Sequence, residues 1–310
     1  MIAGMNKKDA VLALFRVVSI FILDFIINIA WSFVTLIIFG AIFYYANGVY
    51  ANGNELLDQM VRSPEYLFIV SIYNIFVIMV TYLFWKYADK RSTETIGLKW
   101  RKNSLKMFGL GLLGGSLEII LIILLSLLMG TLWFQNSGFQ MFSIAEIQKS
   151  LFYGILAFLL VGFGEEALFR GYIQKRLMLA MGNKWALLIS SLIFMVAHIL
   201  TYGKLLDFID VALGGVILGY LYILTDSLYL PAAYHFIYDL IQVNIVKLQD
   251  YEHFKGAVLY VFNNSGDVVV SGLNYGNVIE VSFIIAELIV LLLLYLFRAG
   301  IRSLSLINGE

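Results

Sequence analysis

Residues 161–172 read VGFGEEALFRGY, at the end of the apolar run LFYGILAFLL that occupies 151–160. Two adjacent carboxylates, Glu165 and Glu166, and one guanidinium, Arg170, stand close together in a segment that otherwise has the character of a membrane span. A charge within a bilayer costs roughly 2.5–3.5 kcal/mol on insertion scales. The cluster therefore needs either mutual neutralisation or a use. On a helix Glu166 and Arg170 are four apart, lie on one face and can pair. Glu165 points about 100° away from Glu166 and has no local cation. An unpaired carboxylate in apolar surroundings is the better candidate for a base. The bland alternative is a structural ion pair beside an incidental glutamate.

The rest of the chain sets the context. Of 310 residues, 61% are apolar and 14% charged, and the mean hydropathy is +0.87. Soluble domains are nearer half apolar and a quarter charged, so the fold class expected is an all-α polytopic membrane helix bundle. A span needs about 20 mostly apolar residues. Eight candidates run near 17–45, 65–85, 107–132, 149–176, 184–202, 206–225, 228–247 and 278–298. The first is too long for a signal peptide and is read as a retained helix. Residues 1–310 are expected to form one integral membrane domain, with 150–245 as its core. Gly111 with Gly115, and Gly215 with Gly219, have the spacing that lets helices approach closely. A net charge of zero gives no sign of nucleic acid as a partner. The absence of cysteine excludes disulfides, thiolate metal sites and a thiol nucleophile.

Basic residues set the orientation. Lys7, Lys8 and Arg16 precede or open the first span. Seven basic residues lie between Lys86 and Lys106, and Lys175, Arg176, Lys184, Arg298 and Arg302 fall on the same side. The opposite loops hold Arg62, Lys149, Lys204, Lys247 and Lys255. Both termini are expected to be cytoplasmic in a multi-pass protein of the cell membrane. In the long outer loop, about 248–277, VLYVFNNSGDVVVS carries two β-favouring runs around a turn signal and predicts a small hairpin. No internal repeat is visible, which weighs against a transporter built from two halves.

Other polar residues stand in apolar segments. His198 falls in the fifth span, four residues after Phe194. His235 and Asp239 are four apart on the seventh. A lone histidine on an apolar helix is usually a packing residue, and His253, in the outer loop, gets that reading. Counted from the cytoplasmic ends of their spans, Glu165, His198 and His235 lie at depths of roughly 13–21 Å. In a hydrocarbon core of about 30 Å they share one layer. Asp24, Glu118 and Glu287 are read as packing or cavity-lining groups.

Glu165-Glu166-x-x-x-Arg170, Phe194-x-x-x-His198 and His235-x-x-x-Asp239 together resemble, in that order, the motifs of the CPBP family. This family holds the type II CAAX prenyl endopeptidases and the bacteriocin-processing (Abi) proteins. The resemblance covers roughly 150–245 and includes the fuller form EEALFRG. It implies an intramembrane endopeptidase acting on a membrane-associated or lipidated peptide or protein. Carried over, Glu165 activates a water that His198 helps to hold. His235 donates to the oxyanion with Asp239 behind it, and Glu166 and Arg170 form a supporting ion pair. The prenyl proteases often have Asn where this chain has Asp239, and an ionised Asp cannot donate. No cofactor is expected. A divalent metal such as zinc is the alternative, because two histidines and a glutamate are possible ligands. Two other functions compete: a non-catalytic scaffold or bacteriocin-immunity protein on the same fold, and a proton-coupled transporter, since buried Glu and His also mark proton relays.

Overall fold

The structure is a computed structural model and describes residues 7–47, 53–92, 96–199, 204–247, 256–264, 266–270 and 273–306. His253 lies outside the described residues. Helix α1 (Lys7–Asn47) is followed by α2 (Gly53–Arg62), α3 (Pro64–Ser71) and α4 (Tyr73–Leu83), the last running into a π-helical turn, Phe84–Ala88. Next come α5 (Ser104–Leu128), β1 (Leu132–Ser137), α6 (Gly138–Met141) and α7 (Ile144–Glu166). A π-helical segment, Ala167–Gln174, leads from α7 into α8 (Lys175–Met181), then α9 (Asn183–Ala197), α10 (Leu205–Thr225) and α11 (Tyr229–Leu240). A last π turn, Ile241–Ile245, precedes β2 (Val246–Lys247), β3 (Tyr260–Asn264), β4 (Asp267–Val270), β5 (Leu273–Asn277) and α12 (Ile279–Leu306). Local chemistry marks several starts. Pro64 opens α3, where its missing N–H costs nothing. Ser143 caps α7 in a reciprocal box with Glu146.

The chain is a multi-pass membrane protein in which six helical segments among the described residues are long and apolar enough to cross a bilayer: Lys8–Tyr45, Pro64–Ala88, Ser104–Leu128, Ile144–Met181, Leu205–Thr225 and Ile279–Ser303. The other two expected spans are shorter. The fifth, α9, has 15 residues, and the seventh is the 12-residue α11 extended by its π turn. Helix α5 illustrates the two faces of such a segment. Leu113, Leu117, Ile120 and Leu124 are exposed at helical spacing, as lipid requires, while Gly111, Gly115, Glu118, Ile119 and Ile122 are buried.

Helix α11 is the inner element, packed against α5, α7 and α10. Its approach to α5 depends on the predicted glycines. A Cβ on Gly111 would stand 2.3 Å from the Leu230 carbonyl oxygen, and one on Gly115 would stand 2.6 Å from that of Tyr234. Gly162 on α7 is equally confined, with the Ala232 carbonyl oxygen 2.6 Å from its Cβ position. Gly215 faces Ser191 and Phe194, and Gly219 faces Gln174. In each case the absent side chain lets a backbone or polar group come close.

Away from the helices, β3 lies between β1, antiparallel, and β2, parallel. The hairpin expected around Gly266 does not form. Both edges of β3 are already paired, so β4 pairs instead with the following strand, β5. At the end of α4 the buried Asp89 carboxylate binds three elements together. It takes ion pairs from Arg16 on α1 and, at 2.9 Å, from Arg176 on α8, and it accepts the Tyr172 hydroxyl at 2.6 Å.

Candidate active site

The VGFGEEALFRGY stretch forms the last turn of α7 and the π-helical segment after it. π segments inside longer helices are rare and occur often at functional sites. Despite the wider winding, Arg170 Nη1 lies 2.9 Å from Glu166 Oε1, and both side chains are buried. The guanidinium also donates to the Gly215 carbonyl at 3.2 Å and lies over the Phe194 ring, 4.5 Å from its centroid. Burial of a charged pair depends on further contacts to its remaining groups; these serve the guanidinium, while Glu166 Oε2 has no hydrogen-bond partner.

Phe194 links the first two motifs. Its ring meets Phe169 edge-on and packs on His198, with centroids 5.0 and 4.5 Å apart. Its carbonyl oxygen is 2.9 Å from His198 Nδ1. A carbonyl can only accept, so Nδ1 carries the hydrogen and the neutral ring presents Nε2 as an acceptor. His198 stands just beyond the last residue of α9, where the chain turns. Its Nε2 faces Glu165 Oε2 at 3.8 Å.

The third motif completes the cluster. His235 Nδ1 is 3.1 Å from Glu166 Oε1, and Nε2 is 3.4 Å from Asp239 Oδ2. Glu166 Oε1 therefore serves both Arg170 and His235. Sequence spacing does not reveal this contact, because a span-to-span pairing depends on how α7 and α11 are rotated. Glu165, His198, His235 and Asp239 all line one cavity of about 350 Å³. Leu67, Val70, Phe158 and Val161 give it an apolar flank on α3 and α7.

Of the three acids set aside as packing or lining groups, Glu118 and Glu287 line this same cavity. Asp24 does not line it, and its Oδ1 has no hydrogen-bond partner. Asp210 on α10, Tyr234, Tyr238 and Gln242 on or after α11 also line the cavity and were missed in the sequence. For Asp210 a signal existed, an acid six residues into an apolar span. The Tyr234 hydroxyl donates to Glu118 Oε2. For the zinc alternative, no three His, Asp or Glu side chains among the described residues are arranged to hold a metal ion. Both ring nitrogens of His235 face carboxylates rather than a shared point with His198.

The arrangement can do acid–base chemistry on a molecule held in this cavity. Residues 147–241 match the model of the family described as Rce1-like, type II CAAX prenyl endopeptidase Rce1-like. The matched segment runs from the first turn of α7 to the end of α11 and contains all three motifs. No curated protein matches the chain, and neither does any solved structure.

Proposed function

We propose that the protein is an intramembrane endopeptidase that hydrolyses a peptide bond in a membrane-associated or lipidated peptide or protein. The observation that carries this reading is the Glu165–His198 pair, 3.8 Å apart at the wall of a cavity with one apolar flank. That separation is too long for a direct hydrogen bond and suits a water shared by both groups. His198 Nε2 accepts one hydrogen of the water, and Glu165 takes the proton released as the oxygen attacks the carbonyl carbon, then delivers it to the leaving nitrogen as the C–N bond breaks. Negative charge then develops on the former carbonyl oxygen. His235 Nε2–H is the donor that meets it, exchanging its long contact to Asp239 for the oxyanion. Glu166 holds the other ring nitrogen and so fixes the ring's direction. Before that exchange Asp239 works as an acceptor that orients His235, a role for which Asp serves as well as Asn.

In this reading residues 150–245 are the catalytic core of one domain, 1–310. The helices α9 and α11 complete eight crossings as short spans. Both termini face the cytoplasm of a cell-membrane protein. No cofactor takes part, and the partners are the substrate and the lipid around it. The test is incubation of the purified protein, in lipid nanodiscs, with hydrophobic peptides ending with or without a prenylated cysteine motif. Mass spectrometry should find cleavage at one bond. Intact peptides throughout, in a panel that a type II prenyl endopeptidase cuts, would favour a scaffold role.

A further inference from the structure

The cavity has a second wall that the proposed hydrolysis leaves unused. Glu118 on α5, Asp210 on α10 and Glu287 on α12 line it together with Glu165 and Asp239. No lysine or arginine among the described residues lines it. Glu118 and Glu287 are each only 3% exposed, and one oxygen of each, Glu118 Oε1 and Glu287 Oε2, has no hydrogen-bond partner. Asp210 Oδ1 likewise has no hydrogen-bond partner.

We infer that this wall is a subsite for a cationic side chain, lysine or arginine, of the peptide substrate, an inference that rests on the endopeptidase reading. The unsatisfied atoms are all acceptors, so the group that complements them must be rich in donors. Ammonium has three and guanidinium five, and neither has an acceptor. Buried acceptors without partners carry a desolvation cost that such a donor offsets. A bare metal ion fits less well, because no three acidic or histidine side chains among the described residues are arranged around one point. The cavity also provides for an aliphatic stem. Val211, Ile217 and Leu218 stand on the same helix as Asp210, and lysine and arginine place apolar stems along such surfaces.

Helix α11 ties the subsite to the chemistry. Its residues alternate roles in adjacent pairs. Tyr234 bonds Glu118 while His235 bonds Glu166, and Tyr238 faces the acids while Asp239 faces His235. The acidic wall and the His235 cluster therefore meet on one helix.

The test measures binding to the Glu165→Gln protein, which separates recognition from turnover. Hydrophobic peptides that differ only in one residue, lysine or its uncharged isostere norleucine, are titrated by calorimetry with that residue walked along the sequence. At one position lysine should bind about tenfold tighter or more, the scale of a charged hydrogen bond. Glu287→Gln or Asp210→Asn, added to the same background, should remove that preference and leave the norleucine affinity unchanged. Equal affinity of both peptides at every position would overturn the subsite. So would a lysine preference that survives both substitutions. Cleavage by the wild-type protein is scored separately. Cutting of lysine and norleucine peptides alike, without a binding preference, would sink the subsite and leave the endopeptidase standing. A lysine preference in binding without any cutting would do the reverse.

Discussion

Glu166 Oε1 lies 3.1 Å from His235 Nδ1 and 2.9 Å from Arg170 Nη1, so a single buried oxygen joins the first motif to the third. The contact gives Glu166 two duties, holding a buried guanidinium and aiming an imidazole.

The two duties separate on mutation. Glu166→Ala leaves Arg170 buried without its carboxylate, which costs about 3–5 kcal/mol. The thermal midpoint of the detergent-extracted protein should fall or the yield collapse. The double variant with Arg170→Met should recover much of that loss, because the charge left behind is gone. Losses that simply add would show that the two side chains do not act as a pair. If the double variant folds, its turnover should remain low, since His235 has lost its anchor.

The fit of α5 against α11 supplies a packing prediction. Gly111→Ala puts a methyl 2.3 Å from the Leu230 carbonyl oxygen, and overpacking of this kind costs about 1–3 kcal/mol. Thermal unfolding should register the loss. Gly109→Ala, one turn face away with open space around it, is the control and should leave the midpoint nearly unchanged. Equal behaviour of the two would mean that the helices are not in this contact.

Much of this architecture was legible from residue patterns. Long apolar runs identify the spanning helices, because lipid demands length and an outward apolar face. Four-residue spacing brings out the Glu166–Arg170 pair. Depth counting brings Glu165, His198 and His235 to one level. The patterns do not tell which way each helix is rotated about its axis. The Glu166–His235 contact and the addition of Glu118, Asp210 and Glu287 to the cavity depend on that rotation, so they emerge only from the packed bundle. The short helices α9 and α11 are another case, because apolar residues beyond their ends lengthen the span expected from the sequence. The β3 strand failed as a hairpin partner for a similar reason, since pairing with β1, far away in sequence, outcompetes its neighbour.

Asp89 is the structural centre missed among the polar residues near a helix end. Its side chain is 1% exposed and receives Arg16, Arg176 and Tyr172 from three elements. Asp89→Ala should lower stability by about 3–5 kcal/mol, with a smaller loss for Tyr172→Phe, which removes one hydrogen bond worth about 1 kcal/mol. Unfolding followed by tryptophan fluorescence suits the measurement, since buried Trp85 lies beside Tyr172.

Orientation in the membrane has its own check. The naturally cysteine-free chain allows single cysteines at Ser92 and Asn263 to be probed with an impermeant thiol reagent on intact cells. Asn263 should label from outside and Ser92 only after the membrane is opened. Labelling of both from one side would overturn the cytoplasmic placement of the termini.

The central claim is that Glu165 takes the proton of the attacking water, with His198 holding that water. The most direct measurement is turnover of a cleaved reporter peptide by purified Glu165→Gln protein, alongside His198→Ala and the double variant, each with and without a chelator. The amide preserves shape and removes the base. Turnover should fall by about 10²–10⁴-fold, the usual contribution of general base catalysis, while peptide affinity and thermal midpoint stay near wild type. The double variant should be no worse than the more damaged single one, because both residues handle one water. Glu165→Gln turnover within a few-fold of wild type would contradict the account. Wild-type activity lost to chelator and restored by zinc would contradict the metal-free mechanism.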